Sequence, residues 1–406
     1  MRAHYMTAPD AESLPVLKLR HGEDRRLAAG HLWVFSNEID VAQTPLTAFQ
    51  PGDLVRLFSD REKFIGYAYV NPRSLIAARI LSRNEEAPPG RDLLVKRLHT
   101  ALALRRRLAD EPYYRLVFGE SDLLPGLVID RYGDVLVGEI GTAGMERMKD
   151  DILAALRKVV DPAAVLWKND SASRELEGLP TYIETAFGEV PETITVRENG
   201  LAYEVALAGG QKTGWFYDQA QNRQTLLRYV GGARVLDVFS YLGAWAIGAL
   251  RHGATEATCV DASAAALAAA ERNAVVNEVK LRTIKGDAFD VLAELHAKRE
   301  EFDVVVLDPP AFIRRRKDIP KGEAAYRKLN LLGMQLLGRD GMLVSSSCSH
   351  HLPADDLLGA IARAGRNLSR HVQLLETGGQ APDHPIHPAI PETRYLKAFF
   401  CRVVRD

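Results

Sequence analysis

The sequence lacks the long apolar runs and the clustered cysteines that mark membrane and secreted proteins. No stretch of its 406 residues approaches the roughly 18 apolar residues that a membrane span needs. The first residues, MRAHYMTAPDAESLPVLKL, contain no apolar core of the secretory-signal type. The three cysteines lie far apart, which favours neither a disulfide framework nor a metal cluster. We therefore expect a cytoplasmic protein with free thiols, no membrane partner and no metal.

The sequence also lacks an excess of charge of either sign. Its 52 Lys and Arg residues against 53 Asp and Glu leave a net charge of −1, so charge alone does not indicate a nucleic-acid-binding protein. RNA binding would need local basic patches. The candidates are LRRRL at Leu104–Leu108 and IRRRKDIPKG at Ile313–Gly322, although such runs more often form a solvated face.

A chain of this length predicts two or three domains. Residues 14–84 contain short segments of β-formers separated by Gly, Pro, Asn and Asp, which predict a small β-barrel-like domain. EEAPPGR is typical of a linker, and residues 90–192 combine a long helix with a small α+β region. ITVRENGLAYEVAL predicts a hairpin that turns at Asn199 and Gly200.

From about Ala233, apolar strands alternate with helices. This pattern predicts an α/β fold with a mostly parallel sheet covered on both faces. We expect seven strands, the last of them antiparallel because GGQAPDHPIHPAIPETRY, which precedes it, has no helical pattern. With the hairpin included, this third domain spans residues 193–406. In such sheets, with strand order 3-2-1-4-5, ligands bind at the carboxyl ends of the strands.

The first three strands of this sheet end on residues that suit one nucleoside ligand. The first ends in VLDVFSYLGAWA, which lacks the G-x-G-x-x-G pyrophosphate fingerprint and fits the amino-acid end of a ligand better. The second ends at Asp261, where a carboxylate can accept hydrogen bonds from ribose hydroxyls. The third ends at Asp287, where an adenine edge would lie, although both aspartates could also be helix caps. The candidate residues are Asp237, Phe239, Ser240, Tyr241, Gly243, Asp261, Ala262, Asp287 and Ala288.

The fourth and fifth strands end on a carboxylate and a thiol. In VVVLDPPAF two prolines end the strand abruptly and hold Asp308 at the cleft. The four strand ends together predict a site for S-adenosylmethionine (SAM), with Asp308 next to its methyl group. Cys348 ends the fifth strand, in LVSSSCSHH, and should lie beside Asp308, although it could also be only a small residue at a tight strand end. Cys259 and Cys401 lie inside apolar strands, where inert buried thiols are expected.

A thiol beside a SAM methyl group indicates methylation at carbon 5 of a pyrimidine. That carbon is too weak a nucleophile to take the methyl group directly, but a thiolate bonded to carbon 6 turns the ring into an enamine. A base would then remove the carbon-5 proton as the thiol leaves. Asp308 could bond the N3 or amino edge of the ring, which must leave its stack to enter the site. His350 and His351 could assist, but histidines after a strand are common on surfaces.

The sequence resembles the bacterial large-subunit ribosomal RNA cytosine-5 methyltransferases with an N-terminal PUA domain, the family of rRNA methyltransferase I. The similarity covers nearly the whole chain and rests on GQKTGWFYDQAQNR, DVFSYLGAWA, DPPAF, SSSCSHH and PDHPIHPAIPETRYLK. It implies an RNA-binding PUA domain, a small α+β middle domain and a class I (Rossmann-like) methyltransferase domain. It further implies SAM as the cofactor, 23S ribosomal RNA as the partner, and Cys348 as the nucleophile. Homodimers occur in this family.

The resemblance also extends the list of candidate site residues. The GQKTG segment would line the cofactor pocket through Phe216, Asp218, Gln219 and Arg223. The loop after the fourth strand would contact RNA through Pro309, Pro310, Arg314, Arg315, Arg316 and Lys317. RNA cytosine methylases with two thiols carry a cysteine in this loop, where the present chain has Ala311, so a release step that uses a second cysteine is in doubt.

Three other functions remain compatible with these motifs. Methylation of uracil at carbon 5 uses the same cofactor and a strand-five cysteine, and an aspartate at 308 favours cytosine only modestly. Methylation of an exocyclic amine usually requires an aromatic residue directly after the prolines, but here Ala311 precedes Phe312. A ribosome-assembly factor that binds RNA without catalysis would not need all four strand-end features.

Overall fold

The computed structural model describes residues 11–207 and 213–405, which form two compact units. The first unit contains the described residues of Met1–Glu192, Ala206–Trp215 and Asp383–Thr393. The second contains those of Thr193–Val205, Phe216–Pro382 and Arg394–Asp406. Within the described ranges no helix is long and apolar enough to cross a membrane. The start of the GQKTG motif, residues 210–212, lies outside them.

The first sheet of the first unit forms the small β-rich region that the sequence predicts. Its strands run in the order β1-β3-β4-β5-β2, antiparallel except for the β1–β3 pair. They are β1 (Val16–Lys18), β2 (Trp33–Phe35), β3 (Asp53–Phe58), β4 (Phe64–Val70) and β5 (Ile76–Ser82), with the short helix α1 (Arg25–Ala28). Alternate residues such as Val55 and Leu57 enter a continuous apolar core, as expected for strands with one buried face.

The second sheet of this unit has the order β10-β9-β8-β7-β6. Only β8 and β9 run parallel. Its strands are β6 (Tyr113–Phe118), β7 (Leu127–Tyr132), β8 (Val135–Ile140), β9 (Ala164–Asn169) and β10 (Tyr182–Phe187). The helices are α2 (Arg91–Leu108), α3 (Ala143–Arg147), α4 (Lys149–Val159) and α5 (Ser173–Leu176). Trp167 is fully buried against Gly138, where an added Cβ would lie 2.3 Å from the indole ring.

The basic run LRRRL does not form one solvated face. Arg105 follows the buried Ala101 and Leu102 at helical spacing and is itself fully buried in α2. Its guanidinium pairs with Asp122 at 2.6 Å and donates to the carbonyl oxygens of Arg115 and Asp383. The expectation of a solvated or RNA-facing patch is therefore wrong for Arg105, because helical periodicity turns it into the core.

The second unit contains a two-stranded sheet and a seven-stranded sheet. The pair β11 (Thr193–Glu198) and β12 (Leu201–Ala206) turns at Asn199 and Gly200, which both have positive φ, so the predicted hairpin is confirmed. The large sheet has the order β15-β14-β13-β16-β17-β19-β18. Its strands are β13 (Arg234–Val238), β14 (Glu256–Asp261), β15 (Arg282–Lys285), β16 (Phe302–Leu307), β17 (Leu337–Ser347), β18 (Arg370–Gly379) and β19 (Lys397–Arg405).

The predicted order and directions of these strands are confirmed. The pairs from β15 to β17 are parallel, whereas β19 is antiparallel to both β17 and β18. Helices cover the sheet: α6 (Ala220–Leu226), α7 (Ala244–Arg251), α8 (Ala264–Val276), α9 (Ala288–Ala297), α10 (Ile319–Gln335) and α11 (Ala354–Asn367). Two apolar clusters divide the buried residues of the sheet between its faces, so the strands are apolar throughout.

Two predicted elements differ in extent from those observed. HLWVFSNEI forms a strand only at Trp33–Phe35 and continues as a 3-10 turn at Ser36–Glu38, because the Glu38 carboxylate accepts from the Phe35 N–H. The segment MERMKDDILAALRKVV forms two helices rather than one. Met148 leaves α geometry between them, with φ −90° and ψ 8°, and its side chain is buried in the core.

Candidate active site

The turn after β13 brings the backbone into unusual geometry at the first strand end. Phe239, Tyr241 and Gly243 all have positive φ, at 65°, 48° and 77°, which costs free energy for the two aromatic residues. Asp237 accepts a hydrogen bond from the N–H of Ala246 at 3.2 Å and so anchors the first turn of α7. The N-terminus of α7, where helices favour carboxylates, thus lies at the edge of the sheet that the sequence predicts as the cofactor site.

Asp237 is fully buried, and its second oxygen, Oδ1, has no hydrogen-bond partner among the described residues. Burial raises the pKa of Asp237 to about 8, and the charges of Asp308 and Asp261 act in the same direction. A carboxyl group in such a place is held mostly neutral at pH 7.

The next two strand ends carry Asp261 and Asp287 on strands that are direct neighbours. Asp261 is half-buried and accepts from the N–H of Tyr241 at 3.0 Å and from that of Ser263 at 2.8 Å. Ser263, not Asp261, caps α8. Asp287 is exposed and does cap α9, through the N–H of Phe289. Ala262 is exposed and Ala288 is buried.

The carboxylate of Asp308, directly after β16, is the centre of a hydrogen-bond network. Oδ1 accepts from Gln219 at 2.7 Å and from Ser346 at 3.2 Å, and Oδ2 accepts from the indole N–H of Trp245 at 3.2 Å. Asn222 in turn donates to Gln219. Burial raises the pKa of Asp308 above its ordinary value, while the Trp245 donor opposes that rise. The network holds this carboxylate in one orientation.

Cys348 lies beside the Asp-Pro-Pro loop, as the sheet order predicts. It follows β17, and its Sγ donates to the carbonyl oxygen of Pro309 at 3.9 Å. Cys348 is half-buried, whereas Cys259 and Cys401 are buried inside strands. Burial raises the pKa of Cys259 well above its ordinary value and that of Cys401 to about 12. Cys348 is therefore the only one of the three thiols with solvent-accessible surface at the functional edge.

An aromatic cluster surrounds the same loop, and sequence reasoning missed it. Phe312 lies 4.8 Å from Tyr326, 6.1 Å from Phe289 and 6.3 Å from Phe239, measured between ring centroids. Tyr326 bonds Ser347 and Ser349, the two neighbours of Cys348. Tyr326 is buried, so only the half-buried phenylalanine rings of this cluster are accessible to support a flat base. Their positions in sequence span four elements, so no local motif indicates the cluster.

Residues 216–223 contribute unequally to this edge. Phe216 meets Tyr241 edge to face at 5.3 Å, and Asp218 accepts from the hydroxyl of Tyr395. Gln219 bonds the Asp308 carboxylate. Arg223 instead donates to Glu198 at 2.5 Å and to the carbonyl oxygen of Phe216. Its guanidinium thus stabilises the hairpin and the Phe216 backbone, and contact with the cofactor stays a prediction.

The basic run after the Asp-Pro-Pro loop is exposed along its length. Arg315 pairs with Asp318 at 3.2 Å. Pro309 is buried and Pro310 exposed. His350 is exposed and contacts His351 edge to face. The exposed basic residues are Arg314, Arg315, Arg316 and Lys317, and their accessibility is compatible with phosphate contacts and with a solvated face.

The three strand ends predicted to bind the nucleoside, the Asp308 carboxylate and the Cys348 thiol thus lie on neighbouring strands of one sheet in one unit. The donors and acceptors fit SAM: the N-terminus of α7 suits its carboxylate and Asp261 its ribose. The sequence did not single out Trp245, Ser346 or Lys397. Trp245 stands in the DVFSYLGAWA motif, but only the fold brings it to Asp308.

Comparison with known proteins identifies the family of this chain. Residues 17–83 match the family described as PUA-like domain, and residues 155–400 match that of S-adenosylmethionine-dependent methyltransferases. The chain is 36% identical to ribosomal RNA large subunit methyltransferase I of Photobacterium profundum, over 94% of this chain and 98% of the relative. It is 35% identical to the protein of the same name from Erwinia tasmaniensis, over 96% and 99%.

Solved structures share the fold. A SAM-dependent methyltransferase structure from Streptococcus mutans superposes with a TM-score of 0.81 at 22% identity, over 96% of this chain and all of the other. A methyltransferase complexed with SAH gives 0.82 at 23% identity over the same shares. The PUA-like region, the methyltransferase domain and the full-length similarity show that the chain belongs to the SAM-dependent methyltransferases, in the family of ribosomal RNA large subunit methyltransferase I.

Proposed function

We propose that this chain methylates carbon 5 of a cytosine in 23S ribosomal RNA through a covalent bond between Cys348 and the base. The observation that supports this most is the placement of Cys348, half-buried beside Pro309, next to the hydrogen-bond network of Asp308. Amine methylation needs no thiol at this edge. The names of the curated relatives support large-subunit ribosomal RNA as the substrate.

The reaction would proceed by addition and elimination on the pyrimidine ring. The thiolate of Cys348 forms a bond to carbon 6, and the displaced π electrons make carbon 5 nucleophilic. SAM supplies an electrophilic methyl group on its sulfonium, and carbon 5 takes that group. Removal of the carbon-5 proton then restores the double bond, and the carbon–sulfur bond breaks to return the thiolate.

The surrounding residues have separate roles in this scheme. Asp308, held by Gln219, Trp245 and Ser346, would bond the N3 and amino edge of the ring. The half-buried ring of Phe312, backed by the buried Tyr326, would support a base that has left its stack. The PUA-like region and the exposed run from Arg314 to Lys317 would hold the RNA backbone.

Nucleoside analysis tests the proposed product. The protein is incubated with 23S ribosomal RNA and isotopically labelled SAM, and the RNA is digested and separated. We expect label in 5-methylcytidine only. Label in 5-methyluridine would show that uracil, not cytosine, is the substrate base. SAM binding without labelled product on any RNA tested would favour a non-catalytic assembly factor. A homodimer stays a prediction of the family resemblance, which sedimentation can test.

A further inference from the structure

Lys397 lies directly across the sheet from the residue before Cys348. In the antiparallel pair of β17 and β19, Lys397 is the register partner of Ser347. Its ammonium group donates to the carbonyl oxygen of Ser349 at 2.6 Å. Lys397 therefore contacts the chain on both sides of Cys348, once through the backbone ladder and once through its side chain.

This lysine is buried without a matching carboxylate. It is 8% exposed, and in the part of the chain that the structure describes, no Asp or Glu lies within ion-pair distance of its Nζ. An isolated charge in such a place is costly, and one carbonyl oxygen compensates it only in part. Burial lowers the pKa of Lys397 to about 8, and the nearby Arg394 acts in the same direction.

Cys348 is the group that opposes this effect. A negative charge on its sulfur raises the pKa of Lys397, and interaction between two charges is mutual. Tyr326, from α10, also faces the thiol, and burial raises its pKa, so it is neutral near pH 7. The other described titratable groups near the thiol are Asp308, at the end of the neighbouring strand, His350, which is exposed, and His351. Among the residues that the structure describes, Lys397 is thus a buried cation close to the thiol.

We propose that Lys397 is a positioning residue that holds Cys348 as a thiolate. In the thiol form, the S–H group of Cys348 donates a hydrogen bond to the Pro309 carbonyl oxygen. When that proton leaves to solvent, the sulfur anion gains the ammonium group as its counter-ion, and the buried ammonium gains the anion that it lacks. The pair is therefore more stable than either buried charge alone. The role in catalysis rests on the proposed function, but the state of the thiol does not.

Alkylation of the RNA-free protein tests this inference without reference to methylation. Iodoacetamide reacts with thiolates, so the rate at Cys348, followed by mass spectrometry of its peptide against pH, reports the thiolate fraction. Cys259 and Cys401 are buried and serve as unreactive internal references. We expect Lys397→Met to slow alkylation about tenfold near pH 7, which is a shift of about one pH unit in the midpoint. Lys397→Arg should keep the midpoint close to that of the wild type.

A matched control and a second measurement complete the design. Lys298→Met removes an exposed lysine that pairs with Glu294 and should leave the profile unchanged. If Lys397→Met does not fold, the wild-type profile decides alone: a midpoint below that of a free cysteine supports the inference, and one at or above it overturns it. An unchanged rate in folded Lys397→Met also overturns it. If the wild-type protein forms 5-methylcytidine, the proposed function holds even where the alkylation result overturns the role of Lys397.

Discussion

We expect Asp237 to make the second unit less stable as the pH rises. The variant Asp237→Asn should lack this pH dependence. The group is fully buried, with Oδ1 unpaired among the described residues, and its pKa is raised from 3.8 to about 8. In the unfolded chain the carboxyl ionises near pH 4, whereas the folded protein keeps the proton up to about pH 8. The unfolded state therefore binds fewer protons between these values, and stability falls as the pH rises.

The size of this effect follows from the shift. One pKa unit corresponds to about 1.4 kcal/mol, so the full shift sets an upper limit of roughly 5–6 kcal/mol. Between about pH 5 and pH 7.5 the cost of keeping Asp237 protonated grows by about 3 kcal/mol. Asp237→Asn keeps an acceptor for the Ala246 N–H and has no proton to lose. The variant should gain stability over the wild type by that amount as the pH rises.

Urea unfolding without cofactor at several pH values measures this difference. The transition that belongs to the second unit is the one that added SAM moves to higher urea. Asp290→Asn, at an exposed site in the first turn of α9, is the matched control and should show no comparable trend. If the gain of Asp237→Asn over the wild type is the same at acid and neutral pH, Asp237 is not held neutral and the reasoning fails.

Three further outcomes are expected. Replacing the basic residues of Arg314–Lys317 by Gln should lower the salt slope of RNA binding by about 0.7–0.9 for each phosphate that the protein no longer neutralises; an unchanged slope in a filter-binding titration would make the run a solvated face. Trp245→Phe removes a donor that lowers the pKa of Asp308, so the acid limb of the methylation pH profile should move to higher pH; a limb that stays in place contradicts this role. Gly144→Ala would place a Cβ 2.0 Å from the ring of Tyr69 and should destabilise the first unit by about 1–3 kcal/mol in thermal unfolding; full stability would mean that the ring can move aside.

The residues at the strand ends of the large sheet were predictable from local patterns, and its strand order from the order usual for this class of sheet. Apolar strands that alternate with helices require parallel pairing, and VVVLDPPAF and LVSSSCSHH end on chemically distinctive residues. Neighbouring parallel strands end at the same edge, so Asp308 and Cys348 were expected to lie at one edge of the sheet. The prolines mark where the strand ends, and no knowledge of packing is needed.

The support around those residues was not predictable in the same way. Lys397 reaches the segment around Cys348 only because β19 runs antiparallel beside β17 in a register that pairs it with Ser347. Trp245 reaches Asp308 across 63 positions of sequence. Arg105 looks like part of a basic surface patch, yet its pairing with Asp122 makes it part of the core. Each of these roles depends on tertiary contacts that leave no signal in neighbouring residues.

The central claim, that the Cys348 sulfur bonds the base, can be tested by trapping the bond. Fluorine at carbon 5 cannot leave as a proton does, so RNA with 5-fluorocytosine at the target should stay attached after methyl transfer. Peptide mass spectrometry under denaturing conditions should place the attached nucleotide on Cys348. Cys348→Ala should form no adduct while its affinity for SAM stays within a few-fold of the wild type. An adduct that persists in that variant, or one located on another residue, would contradict the account.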